Sequence, residues 1–334
     1  MTSVFEHTRF KKPDHRNILR VLLALTFSIF LVSCNDTQND EIESVDPSIR
    51  INLLDIEEPH TAYNAEDPLA NTLHFGFELR NSIQEDAAQY LSLLTYLGEE
   101  TGYTFKLHFA ARHSSLTEDL GNNVVQLGAI GALGYLKAKS RFGVIPVVRG
   151  LSSNDKAEYQ SFFVVRPDSA VNTLNDIKNH SLALGNKDST QGHLIPRIML
   201  YKIGLTLDDL ASYQFTGSHY NCLQAVLLKE TQVCALQDTL AEQYAEQGLV
   251  RIIKKSEYYP SSGIATNKNV PTEIIEKIRH ALVRLHPLSE HKDRLYGWEK
   301  TEMSHGFITA REEDYTKLYH WALQFGFVTS GSEK

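Results

Sequence analysis

Cysteine is scarce in this chain, three residues in 334, at positions 34, 222 and 234. So few cannot make a disulfide-built scaffold. The fourteen histidines are dispersed, and none recurs as His-x-x-x-His. A helix-borne pair of metal ligands is therefore missing, and no metal or other cofactor is expected. Neither a Walker-type phosphate loop nor a Gly-x-Ser-x-Gly nucleophile elbow occurs, which removes two common enzyme signatures. Basic blocks are also lacking: 33 Lys and Arg stand against 41 Asp and Glu, a formal charge of −8. That balance argues against nucleic acid and against anionic membrane surfaces as partners.

What is present begins at the N-terminus. Lys11, Lys12, Arg16 and Arg20 precede an uncharged apolar run over 21–32. The run is shorter than the ~20 residues that cross a bilayer and suits the core of a signal peptide. Leu31-Val32-Ser33-Cys34, followed by polar Asn35 and Asp36, resembles the bacterial lipobox. The resemblance implies that residues 1–33 are removed and that Cys34 is acylated, anchoring the mature chain by lipid on the periplasmic or extracytoplasmic side. Residues 35–70 carry many carboxylates, Arg50 as their only basic side chain, and three prolines. They read as an acidic, extended tether.

From residue 72 onward the pattern alternates between strand and helix. Strands are expected over 72–77, 103–109, 124–130, 161–166, 180–185, 212–215, 233–236 and 250–254. Helices are expected over 87–100, 116–120, 189–203, 219–228, 272–285 and 312–325. Alternation of this kind builds parallel sheets with crossover helices, an α/β fold. Ligands of such folds bind beyond the carboxyl ends of strands, where loops enter helix N-termini. The loops to inspect are therefore 78–85, 110–117, 131–135, 186–192, 216–221 and 237–240.

Three of those loops carry polar chemistry. Ser189, Thr190 and Gln191 lie between a strand and a helix, where hydroxyls, backbone N–H groups and the helix dipole favour an anion. Read alone, Ser189 is equally an ordinary N-cap. Thr216-Gly217-Ser218-His219 repeats the construction one unit later, with His219 as a possible donor to an oxyanion. Gly131-Ala132-Leu133-Gly134-Tyr135 places a tyrosine just after a strand, where the plainer reading is a buried aromatic.

Taken in order, these loops resemble the phosphate/phosphite/phosphonate solute-binding proteins of ABC importers. Ile130-Gly-Ala-Leu-Gly-Tyr135 is similar to that family's Leu-Gly-Pro-x-x-Tyr turn. Ser189-Thr-Gln-Gly-His-Leu-Ile-Pro-Arg197 is similar to its Ser-Thr-Ser-Gly-x-x-x-Pro-Arg segment. Gly217-Ser-His219, followed by Ala225-Val-Leu227, matches its Gly-Ser-His helix, and Asp238 follows a strand where the family also has Asp. The resemblance implies a two-lobed, periplasmic-binding-protein-like (type II) fold: two α/β domains joined by two hinge strands. Residues 72–162 with 258–325 would form one lobe, 166–252 the other, and 326–334 a tail. It further implies a monomer that captures a small oxyanion between its lobes and delivers it to an inner-membrane permease. A membrane sensor kinase is the alternative partner. By position, Tyr135, Ser189, Thr190 and His219 should touch the oxyanion, with Asp238 facing the rest of the ligand.

The departures are informative. His113 stands where the family has Tyr, Tyr220 where an acidic residue follows Gly-Ser-His, and Gln191 where a third hydroxyl is usual. With Arg80 and Arg112 in nearby loops, the expected cleft is short of carboxylates and suits an anionic or uncharged-tailed ligand better than an aminoalkyl one. A hydrolase using Ser189, His219 and Asp238 is the competing class, but helix starts already explain the Ser and His. Cys222 and Cys234 fall where the family prefers Ala; they are read as two small buried thiols, with a helix–strand disulfide as the alternative.

Overall fold

Residues Thr72–Phe77 alternate apolar Leu73, Phe75 and Phe77 with Thr72, His74 and Gly76 and form β1, the parallel partner of both β2 (Thr104–His108) and β3 (Leu127–Ile130). The structure, a computed structural model, describes residues 71–80, 82–110 and 114–329, all within the unit Asn52–Lys334. The expected signal peptide, Cys34, the tether, Arg112 and His113 lie outside the described residues.

Between β1 and β2 runs α1 (Ile83–Thr101). Ser82 starts it by accepting from the Glu85 N–H, acidic Glu85 and Asp86 fill its first turn, and Gly102, at φ 77°, ends it. That is favourable cap chemistry at both ends and favourable dipole chemistry at the first turn, and it sets the start four residues before the apolar periodicity does. Next come α2 (Leu116–Gly121), β3, α3 (Ala132–Phe142) and β4 (Ile145–Gly150). Helix α3 was expected as a loop around Tyr135; its capping glycines, Gly131 and Gly143, bound a helix of eleven residues.

The chain then crosses to a second sheet through β5 (Glu158–Tyr159), followed by β6 (Ser161–Val165) and β7 (Ser181–Leu184). Helix α4 (Ile195–Lys202), β8 (Ser212–Phe215), α5 (His219–Leu227), β9 (Val233–Gln237), α6 (Asp238–Glu246) and β10 (Arg251–Lys255) complete that half. The return passes through β11 (Tyr259–Pro260) into β12 (Gly263–Thr266), α7 (Thr272–Val283), β13 (Phe307–Thr309) and α8 (Thr316–Gln324).

Two mixed sheets result, in the orders β13-β4-β12-β3-β1-β2 and β10-β6-β9-β7-β8. The crossing segments β5 and β11 pair with each other as an antiparallel ribbon, Tyr159 opposite Tyr259. Beside them, Ser161 N–H donates to the Ser256 hydroxyl and Ser256 N–H to the Ser161 carbonyl, at 3.0 Å each. The two crossings are thus hydrogen-bonded to one another at the boundary between the lobes.

Each sheet has its own apolar layer. Leu73, Phe75, Leu93 and Trp298 belong to the first, and Phe162, Val164, Leu223 and Leu236 to one face of the second. A third cluster runs from α2 and α3 across to Phe163, Val165 and Leu182, and takes in Tyr315 and Leu318 at the C-terminal end. The C-terminal helix accordingly touches more than the first lobe. Trp321 and Phe325 meet Tyr201 of α4 edge-on, and the Arg197 guanidinium lies over Phe325.

Cys222 of α5 and Cys234 of β9 form a disulfide, with Cα atoms 5.7 Å apart. This corrects the expectation of two free thiols. Packing of α5 on β9 brings the two backbones within bridging range, a juxtaposition that a separation of 12 residues does not reveal.

Candidate functional site

The loops that follow β1, β3, β7, β8 and β9 end at the boundary between the sheets. The centre of the site is the start of α3. Helices leave their first N–H groups without internal partners, and Gly131 has no side chain to cap its own. Two distant residues supply the acceptors. Glu78, just beyond β1, accepts from the Gly131 N–H at 3.0 Å, and Thr190 Oγ1 from the other lobe accepts from the Leu133 N–H at 2.9 Å. The lobes are therefore hydrogen-bonded across the cleft at the residue expected to meet the oxyanion.

Glycine relieves crowding here. A Cβ on Gly131 would stand 3.2 Å from Glu78 Oε2, 3.6 Å from Thr190 Oγ1 and 4.0 Å from Ser262 Oγ. One on Gly134 would come within 2.7 Å of Glu78 Oε1. Burial holds the Glu78 carboxyl above the ordinary range, opposed by the Arg80 cation and by the Gly131 N–H. Arg80 itself pairs with Glu302, donates to Ser262 Oγ at 3.2 Å, and lies 3.8 Å from Glu78. Its backbone is fixed by the Asp86 carboxylate, which accepts from the Arg80 N–H at 2.7 Å.

From the second lobe, Ser189 caps its own turn, accepting from the Gly192 N–H at 2.9 Å. The segment Thr190–Leu194 is a wide π-type turn, closed by Leu194 N–H to the Ser189 carbonyl. Such turns are frequent at functional sites. The Gly192 Cα is open to the His219 ring, for a Cβ there would lie 3.1 Å from Cε1. His219 Nδ1 accepts from the Gln237 N–H at 3.3 Å, which leaves the proton on Nε2 as a donor. Burial, with Arg80 adding to it, drives this imidazole down to about 3. It is a neutral donor at any physiological pH.

Gln191 and Asp238 point to the crossing segment. Gln191 Nε2 donates to the Gln160 carbonyl (2.9 Å) and to Asp238 Oδ1 (3.2 Å), and Asp238 Oδ2 accepts from the Gln160 N–H (2.8 Å). Burial raises the Asp238 carboxyl to about 6 against those N–H contacts. Expected as a residue facing the ligand, Asp238 here joins the second lobe to the strand that enters it, as the first residue of a helix. Tyr135, expected to touch the oxyanion, is buried in the second turn of α3 with its ring 4.5 Å from Tyr315. It presents no surface to the cleft in this structure. Tyr159 of the crossing strand approaches Thr190: its buried hydroxyl lies against that side chain and the Ala132 backbone without closing a hydrogen bond of good geometry.

Among the described residues no hydrogen bond joins Ser189 to His219, or His219 to Asp238, so a Ser/His/Asp triad is not assembled. Nor does any group of three His, Cys, Asp or Glu side chains converge as metal ligands. Sequence reasoning missed Glu78, Glu302, Tyr159, Gln160 and Ser262. Glu78 lay within an inspected loop, but only the fold shows that two glycines of α3 make room for it. The two carboxylates beside Arg80 also correct the expectation of a cleft short of acid groups.

Comparison with known proteins places this geometry. PhnD1 from Prochlorococcus marinus, in complex with methylphosphonate, superposes with a TM-score of 0.67 at 16% identity, over 77% of this chain and 99% of that one. A binding-protein component of an ABC phosphonate transporter from Pseudomonas aeruginosa gives 0.65 at 19% identity, over 76% and 86%. The aliphatic sulphonate binding protein SsuA from Escherichia coli shares the fold more distantly, with 0.53 at 15%, over 78% and 89%. These neighbours are two-lobed periplasmic binding proteins, and the fold is the one the sequence implied. A family model described as ABC transporter, phosphonate, periplasmic substrate-binding protein matches residues 75–315, so this chain belongs to that family of transporter binding proteins.

Proposed function

We propose that this protein captures a small phosphorus oxyanion, a phosphonate, phosphite or phosphate, in the cleft between its lobes and presents it to an ABC permease. The observation that carries the reading is the convergence of groups from both lobes on one helix N-terminus. Thr190 reaches across to α3, the protonated Nε2 of His219 is available behind it, and Arg80 and Ser262 close the other side. Hydroxyls, an imidazole N–H and one guanidinium can hold an oxyanion without an equal countercharge.

Anchoring through an acylated Cys34 belongs to the same proposal. It rests on the lipobox-like sequence and would keep the receptor at high effective concentration near its membrane partner. Cys34→Ser should release the protein from membranes into the soluble periplasmic fraction. Retention of that variant in salt-washed membranes would remove the anchor from the account.

Ligand-dependent melting tests the site. A ligand at about 100 times its Kd stabilises the folded state by ~2.7 kcal/mol, roughly 5 °C at this size. Thr190→Val should lose most of that rise for methylphosphonate while melting normally without ligand. A full rise in the variant would place the oxyanion elsewhere.

A further inference from the structure

Glu78 brings a carboxyl to the place where the oxyanion donors converge, and the proposed function gives it no part. Its position is built. Oε2 holds the Gly131 N–H at 3.0 Å, a Cβ on Gly134 would come within 2.7 Å of Oε1, and one on Gly131 would crowd Oε2 at 3.2 Å. The Thr190 and Ser262 hydroxyls meet the same glycine from two other segments. Arg80 pairs with it only at 3.8 Å while holding Glu302 more closely and donating to Ser262, so one guanidinium charge is shared between two carboxylates. An oxyanion gathered by Thr190, His219 and Arg80 therefore has a carboxylate as its neighbour. Two ionised oxygens side by side repel; with one proton between them they form a short, charge-assisted hydrogen bond.

We propose that Glu78 makes the site select oxyanions that carry a proton, phosphonate or phosphate monoanions whose P–OH donates to its carboxylate, and reject fully ionised sulfonates. The inference rests on the oxyanion reading of the cleft and names its specificity. A phosphoryl group takes its second ionisation near neutrality, at a pKa of about 6 for phosphate esters, so a singly protonated form is available. A sulfonate keeps no proton at neutral pH and offers an ionised Glu78 only repulsion. The groups facing Glu78 do not supply that proton. Arg80 is held cationic by Glu302, the Tyr90 and Tyr159 phenols stay neutral through burial, and Glu302 and Asp188 add negative charge. Burial of Glu78 itself acts in the same direction, favouring a shared proton.

The test is calorimetric titration of the full-length wild type and of Glu78→Gln with methylphosphonate and methanesulfonate, at pH 6 and pH 8. The wild type should prefer methylphosphonate by about 100-fold or more, with affinity falling several-fold from pH 6 to pH 8. In Glu78→Gln the amide still accepts from Gly131 and now donates to any oxyanion. The preference should shrink by about 10- to 100-fold, the value of a hydrogen bond to a charged group, and the pH dependence of methylphosphonate should flatten. Glu78→Asp, which keeps the charge, should still reject methanesulfonate. An unchanged preference in Glu78→Gln overturns the proposal, as does wild-type binding of methanesulfonate as tight as that of methylphosphonate. If Glu78→Gln does not fold, a pH-independent wild-type affinity for methylphosphonate overturns it. A folded wild type that binds neither ligand overturns the oxyanion reading itself, and this inference with it.

Discussion

Replacing both Cys222 and Cys234 by alanine should lower the melting temperature by about 6 °C without changing the fold. The disulfide closes a loop whose ends are 12 residues apart in sequence. In the chain-entropy picture such a bridge restricts the unfolded state by ~3 kcal/mol at 25 °C, and a protein of this size moves roughly 2 °C per kcal/mol. Both cysteines are fully buried, so reductant alone should act only after the chain opens. Native protein should resist alkylation, denatured protein should stay unmodified until reduced, and reduction should expose two thiols. The bridge lies directly behind the His219–Gln237 hydrogen bond, one helical turn after His219 and three residues before Gln237. Scanning calorimetry of wild type and double variant measures the shift. A difference under about 1 °C, or two thiols alkylated in denaturant without reductant, would show that the bridge is not closed and that the packing argument for α5 on β9 is wrong.

The pH behaviour of His219 gives a second check. Its folded-state pKa, about 3, lies below the ordinary 6.5, so the unfolded chain takes up a proton first as pH falls. Its contribution to stability is complete above about 6.5 and is lost as pH drops through 6.5 toward 3. His219→Gln should therefore flatten that part of the acid limb, and the His219 ring resonance should not titrate between pH 8 and 5; a midpoint near 6.5 would mean a solvated imidazole. Gly134→Ala gives a third. Alanine normally stabilises a helix interior by up to ~1 kcal/mol over glycine, but here its Cβ meets Glu78 Oε1 and Ile130. Destabilisation by about 1–3 kcal/mol in a denaturant melt is expected, and a more stable variant would remove Glu78 from its place.

Much of the fold was legible because its elements carry local signals. The strand over 72–77 alternates cleanly, and the helix at 219 opens on Ser218, which accepts from the Asn221 N–H. The segment 132–142 was not read as a helix because Gly131 and Gly134 suggest a turn; their real cause is the Glu78 carboxylate, which sits 53 residues before Gly131 in the chain. Strands β4 and β12 were missed as well. Both are central in the first sheet, yet β4 contains Pro146 and β12 has only four residues, so neither offers a periodic run. Of the candidate site, the residues set by local loop chemistry, Ser189, Thr190 and His219, are the ones the sequence singles out. Those set by long-range closure were not. Arg80 and Glu302 pair across 222 positions, and Gln160 reaches Asp238 only because the crossing strand enters the second sheet between β9 and β10.

The central claim is that the interlobe cleft binds a small phosphorus oxyanion. Isothermal titration of the purified wild-type protein with phosphate, phosphite, methylphosphonate and aminoethylphosphonate addresses it most directly. Saturable one-to-one binding of at least one of the four, weakened at least about tenfold in His219→Ala, is the predicted result. Absence of heat and of thermal stabilisation with all four, in a protein that melts cooperatively, would contradict it.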